Sequence, residues 1–119
     1  MSFGSDTLRA LAAAKEVIIE TERHPGLPVT IWIVVCDETV FVRSVKGPKG
    51  RWYLDLTAGS MGKLRFDSAT VAVRAEPVTD EAVIAEVSQA YLEKYRPSPW
   101  AESMVRSEVL GTTLRLEPV

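Results

Sequence analysis

Asparagine is absent from the 119 residues, which excludes N-glycosylation and any chemistry that leans on an Asn side chain. Cysteine occurs once, as Cys36, so no intrachain disulfide can form and the usual mark of an oxidising compartment is missing. With one thiol and one histidine, His24, there is no spaced set of ligands for a metal centre, and none is expected. The longest uninterrupted apolar run, IWIVVC, has six residues, too few to cross a membrane as a helix. The amino-terminal MSFGSDTLRALAAAKE carries Asp6 early and no basic segment, so it does not read as a secretory signal. These absences together lead to the expectation of a cytoplasmic protein without a membrane partner.

Cationic excess is also missing. Against 16 acidic side chains there are 14 lysines and arginines, which excludes a surface built for polyanions, and nucleic acid is not an expected partner. Any anion site must be local.

What is present is a chain of one domain's length, 46% hydrophobic, that buries roughly two-thirds of its unfolded surface on folding. Residues 1–15 read as a short helix capped by Ser5, with Leu8, Leu11 and Ala12 on one stripe. Residues 16–118 change period. EVIIETER, VTIWIVVC, TVFVRSV, GKLRF, TVAVRAEPV and TTLRLEPV are rich in β-branched residues and bounded by turn formers such as HPGLP, DE and DS. Both alternating sets of VTIWIVVC are apolar, which predicts a central strand covered on both faces. RWYLDLTAGS predicts a helix with Trp52 and Leu56 on one face. TDEAVIAEVSQAYLEKY predicts a longer one, capped by Thr79, with Val83, Ile84, Val87, Tyr91 and Tyr95 on its apolar stripe. RPSPW breaks that helix, and AESMVRS predicts a further short turn. Six strands and few helices in so short a chain predict a mainly β, α+β fold, a small six-stranded antiparallel split barrel whose closure removes exposed edges.

The local anion site is suggested by VRSVKGPKGRWY, residues 42–53, which holds four cations, Arg43, Lys46, Lys49 and Arg51, and no acid. Its glycines allow close backbone approach, a helix begins near Gly50 or Arg51, and Ser44 adds a hydroxyl; cations of this kind hold phosphate or carboxylate. Trp52 and Tyr53 then offer a wall for a planar ring. The same residues also read as a solvated hairpin loop with Trp52 as a core anchor. For acid–base chemistry the candidates are Tyr53, Asp55 and His24; His24 sits in an H-P-G turn, where an exposed, idle imidazole is the ordinary outcome. GSMGKL is not a P-loop, because Thr57 and Leu64 stand where that motif needs Gly and Ser or Thr.

IWIVVCDETVFVRSVKGPKGRWY, followed by LRF, VRAEPV, LEKYRPSPW, SMV and TTLRLEP, resembles the bacterial family labelled domain of unknown function 2255, over roughly Glu16 to Pro118. That family is similar to the FMN-binding split-barrel superfamily, especially its deazaflavin-dependent nitroreductase branch. The resemblance implies an FMN- or deazaflavin-dependent oxidoreductase, with the coenzyme phosphate held by Arg43, Ser44, Lys46, Lys49 and Arg51 and the ring near Trp52 and Tyr53. Asp55 departs from it, since the deazaflavin branch commonly shows W-x-x-N and an acid is unfavourable beside an anionic coenzyme. Fold analogy does not decide the chemistry. A coenzyme-free enzyme or binding protein for an anionic, partly apolar small molecule stands beside the coenzyme reading, and a homodimer is compatible with either.

Overall fold

The computed structural model describes residues 3–119. Helix α1 (Ser5–Ala13) leads into β1 (Val17–Thr21), β2 (Val29–Ile31), β3 (Ile33–Cys36) and β4 (Thr39–Val42). A 3-10 turn (Gly47–Lys49) and α2 (Arg51–Thr57) precede β5 (Gly62–Phe66) and β6 (Ala69–Pro77). Then come α3 (Glu81–Tyr95), a 3-10 segment (Ala101–Val105), α4 (Ser107–Leu110) and β7 (Leu114–Pro118). Among the described residues the strands form one seven-stranded antiparallel sheet in the order β2-β1-β5-β6-β7-β4-β3.

The two ends of that order, β2 and β3, are consecutive in the chain and separated only by Trp32. The sheet therefore curls into a nearly closed barrel, the expected fold class, with seven strands rather than six because VTIWIVVC is broken at Trp32. That segment is not central, as its apolar pattern predicts, but supplies both ends of the sheet. Both faces of β3 are nevertheless covered. Ile33 joins the barrel interior with Val17, Ile19, Leu64 and Leu114, while Val34 faces α3 with Phe41, Val87 and Tyr91. Alternation alone cannot tell a central strand from an end strand roofed by a helix.

Capping also differs from expectation. Ser5 is the first residue of α1 and Gly4 its cap, without a side-chain bond. The cap of α3 is Asp80, whose carboxylate accepts from the Ala82 and Val83 N–H groups, in place of Thr79.

A strand broken at Trp32 releases backbone groups that would be costly if left unpaired. The last turns of α3 satisfy them. Tyr91 donates to the Trp32 carbonyl at 3.0 Å, Lys94 Nζ donates to the Ile33 and Leu11 carbonyls at 2.7 and 3.2 Å, and Tyr95 Oη accepts from Ile33 N–H at 3.1 Å while donating to Lys15 O at 2.7 Å. Tyr95 also stacks on Trp32, with centroids 4.0 Å apart and planes 1° from parallel.

This arrangement carries a pH signature. Burial pulls the Lys94 ammonium down from 10.5 to about 8, and burial pushes Tyr91 up and Tyr95 up to about 12. Between about 8 and 10.5 the unfolded chain holds the lysine proton that the folded chain has released, so stability rises with pH. Above the ordinary tyrosine value of 10.0 the unfolded tyrosines ionise first, so stability falls. Thermal melts across alkaline pH are expected to show a rise followed by a fall, and Lys94→Met should remove the rise alone.

Candidate functional site

Residues of β2, Trp32 and the bend after β4 line a cavity of about 560 Å³, a volume within the range of small-molecule sites. Its lining includes Val29, Thr30 and Ile31 of β2 and Arg43, Ser44 and Val45, which follow β4. Trp32, Trp52 and Trp100, all the tryptophans of the chain, line it. Lys46, Arg51 and Arg106 supply its positive charge and Glu16 its single acid.

The elements that deliver these groups follow from the local sequence. Gly47 adopts φ 77°, a conformation open to glycine, and starts the 3-10 turn that swings Arg51 and Trp52 back to the cavity. The bend is closed by Ser44 Oγ donating to Gly47 O at 2.8 Å and by Ser44 N donating to Thr112 Oγ1 at 3.0 Å. Gly50 fits against that hydroxyl so tightly that an added Cβ would collide with Ser44 Oγ. Gly50→Ala is therefore expected to cost about 1–3 kcal/mol in a denaturation experiment. Because the obstacle is one oxygen, the added cost of Ser44→Ala in the Gly50→Ala background should be smaller than in wild type.

Of the residues the sequence assigns to an anion and its ring, Arg43, Ser44, Lys46, Arg51 and Trp52 meet at the cavity, and Lys49 and Tyr53 do not line it. Tyr53 turns its hydroxyl toward Gly111 O at 3.4 Å, and Lys49 lies exposed on the 3-10 turn. Arg43 reaches the wall but its guanidinium is engaged elsewhere. Nε donates to Thr113 Oγ1 at 2.8 Å, Nη1 to Ser88 Oγ at 2.8 Å and Met104 O at 3.0 Å, and Nη2 to Ile84 O at 2.8 Å, with the Tyr91 ring 5.7 Å away. Only 1% of the residue is exposed, and burial lowers the guanidinium from its ordinary value. Of five N–H donors at most one remains for a ligand. Ser44, also 1% exposed, gives its hydroxyl proton to Gly47. Arg43 thereby ties the end of β4 to α3 and the 3-10 segment, and Ser44 shapes the bend.

Lys46 and Arg51 form no ion pair among the described residues, whereas Arg106 pairs with Glu108 at 3.2 Å and donates to Val45 O at 2.9 Å. The pattern of the sequence missed Arg106, Trp100, Trp32 and Glu16. Arg106, Trp100 and Glu16 are distant in the chain from residues 42–53 and meet them only in the folded barrel, whereas Trp32 arrives across the β3–β4 hairpin. Trp100, 70% exposed between Pro99 and the 3-10 segment, is the large apolar side chain least covered among those described.

The acid–base candidates come together away from this cavity. Asp55, 5% exposed on α2, lies 2.6 Å from His24 Nδ1 and accepts from Thr21 Oγ1 at 2.7 Å. Burial pushes its carboxyl up, but the bonds from His24 and Thr21 and the charges of His24 and Arg23 outweigh it and hold the group below 3.8. His24 is consequently not idle: it ties the β1–β2 turn to α2. None of Tyr53, Asp55 and His24 lines the cavity. Asp55→Ala is expected to cost about 1–3 kcal/mol near neutrality, by orphaning His24 and Thr21, with ligand affinity unchanged. A depressed carboxyl contributes stability above its unfolded value and loses it as pH falls through its folded one, so the gap between variant and wild type should close in acid.

The description "Uncharacterized protein conserved in bacteria (DUF2255)" belongs to a family model that matches residues 7–116. The chain is a member of that family. No curated protein matches it. Among solved structures, the chain is similar to the conserved hypothetical protein Rv2991 from Mycobacterium tuberculosis, with a TM-score of 0.63 and 12% identity over 100% of this chain and 80% of that one. At that identity the likeness concerns the fold alone. Among the described residues of this DUF2255 member no helix is long and apolar enough to cross a membrane, and no three His, Cys, Asp or Glu residues gather as a metal site.

Proposed function

We propose that this DUF2255 protein binds a planar, anionic ligand in the cavity beside Trp32, and that the ligand is a flavin or deazaflavin coenzyme serving an oxidoreductase. The observation that carries the reading is the meeting of three indoles with Lys46, Arg51 and Arg106 around one cavity of about 560 Å³. Apolar walls suit a ring system, and a cluster of cations at one end suits a phosphate. The donor set fits such a group, although with Arg106 taking the part that the family resemblance gives to Arg43. When bound, the coenzyme supplies hydride transfer, and the chain's residues hold the phosphate, orient the ring and exclude water from it. The resemblance to FMN-binding split barrels and their deazaflavin-dependent branch supports the same assignment, as the single cysteine supports a cytoplasmic setting.

A second reading is favoured by the engagement of Arg43 and Ser44, which leaves fewer donors than a coenzyme phosphate would draw on. Here the cavity takes a smaller carboxylate- or phosphate-bearing metabolite with an apolar body and no coenzyme is involved. Visible difference spectra of the purified protein, titrated with FMN and with a deazaflavin coenzyme, separate the two. A saturable shift at micromolar coenzyme is expected. Absence of a shift with both coenzymes, together with thermal stabilisation by a colourless anionic metabolite that is lost in Arg51→Ala, would establish the second reading.

A further inference from the structure

Trp32 occupies an unusual position between two strand pairings. The β1–β2 register ends at Val17↔Ile31 and the β3–β4 register at Ile33↔Val42, so the next positions outward, Glu16 on one side and Arg43 on the other, flank the break. One face of the Trp32 indole is covered by Tyr95 in a parallel stack at 4.0 Å, and Tyr95 is followed by Tyr91 at 6.0 Å. The hydroxyls of both tyrosines are bonded to backbone at the break, which fixes the stack to the barrel. Trp32 still lines the cavity, and a rigid indole backed on one side offers a low-entropy surface for another ring on the other.

Glu16 is the only acid lining this cavity, and it forms no ion pair among the described residues although Lys46 and Arg51 line the same space unpaired. Opposite charges that share a cavity and do not meet lie apart within it. Glu16 stands on the Trp32 side: it follows the β1 register to the break, and its charge adds to burial in pushing the Tyr95 hydroxyl up, against the Ile33 bond that pulls it down. Lys46 and Arg51 belong to the bend after β4, to which Arg106 is tied through Val45 O. Glu16 and the basic bend thus reach the cavity from different elements.

We propose that Trp32 is the platform on which the ligand ring stacks, and that Glu16 accepts a hydrogen bond from an N–H on the ring edge farthest from the anion. The ligand class is then a planar heterocycle with an imide or amide N–H at one end and a phosphate or carboxylate at the other, lying with its ring at the break and its anion at the basic bend. The assignment rests on the reading that the cavity takes a planar anionic ligand.

The test uses the full chain, FMN and FMN methylated on its ring imide nitrogen (N3), with binding followed by equilibrium dialysis and bound-flavin fluorescence. Glu16→Ala is expected to weaken FMN by about tenfold or more, the loss of a hydrogen bond to a charged group. It should have little effect on the methylated analogue, so that substitution and methylation are non-additive. Trp32→Leu is expected to weaken FMN by roughly tenfold and to relieve part of the quenching of bound flavin. Should Trp32→Leu melt far below wild type, the Glu16 cycle decides the matter, since Glu16 is exposed and its removal leaves packing intact. FMN binding that is indifferent to Glu16, or equal losses for both flavins, would overturn this inference and leave the proposed function standing. Failure of both FMN and a deazaflavin coenzyme to bind the wild-type chain would overturn both.

Discussion

Arg43→Met is expected to lower the melting temperature by roughly 10 °C or more, equivalent to about 3 kcal/mol for a chain of this size. The substitution preserves much of the apolar stem and removes the fork that serves Thr113, Ser88, Met104 and Ile84. Each of these acceptors then loses a donor in a place water does not easily reach, and an unsatisfied buried polar group costs about 1–3 kcal/mol. The release of a buried charge offsets part of that sum, which is why the net is smaller than the four bonds suggest. Arg43→Lys should recover little, because an ammonium cannot reproduce a planar fork reaching a helix, a 3-10 segment and a strand end together. Thermal and urea denaturation followed by circular dichroism check the result. A loss below about 1 kcal/mol would mean that the guanidinium is not the tie between these elements.

The second large effect concerns binding. Lys46→Glu combined with Arg51→Glu is expected to reduce FMN affinity by at least a hundredfold while leaving the melting temperature within a few degrees of wild type. Both side chains are exposed and unpaired, so folding gains little from them. A bound phosphate would instead face two repelling carboxylates. Lys49→Glu serves as the control: it lies in the same basic run, lines no part of the cavity, and should change affinity by only a few-fold through its long-range field. Equal losses for Lys49→Glu and the double variant, measured by isothermal titration, would show that the run acts as a diffuse charge and not as a site.

Arg43 and Lys49 illustrate why only part of the site is legible in the sequence. A basic run after an apolar strand gives the sign and the approximate place of the charge, and Lys46, Arg51 and Trp52 are found that way. Whether a given cation faces a ligand or the protein depends on acceptors supplied by residues 41 to 70 positions away, such as Ile84 O and Thr113 Oγ1, and no local pattern records them. The same distance hides Trp100 and Arg106. The fold class is more accessible, because turn formers and β-branched runs are local, yet the break at Trp32 has no local signature. An unbroken run of apolar β-formers carries no mark of the point at which it leaves one neighbour for another. That mark lies in α3, where Tyr91, Lys94 and Tyr95 supply the missing bonds. Asp55 and His24 show the converse: no local pattern links them, and their 2.6 Å contact emerges only when the β1–β2 turn folds against α2.

Since Trp32, Trp52 and Trp100 all line the cavity, intrinsic tryptophan fluorescence reports directly on its occupation. Titration with FMN, with riboflavin as the partner lacking phosphate, is the most direct measurement of whether the basic bend and the indoles form one site. Saturable quenching by FMN at micromolar concentration, at least tenfold weaker with riboflavin, is the expected result. Quenching that does not saturate, or that is the same for both flavins, would contradict it.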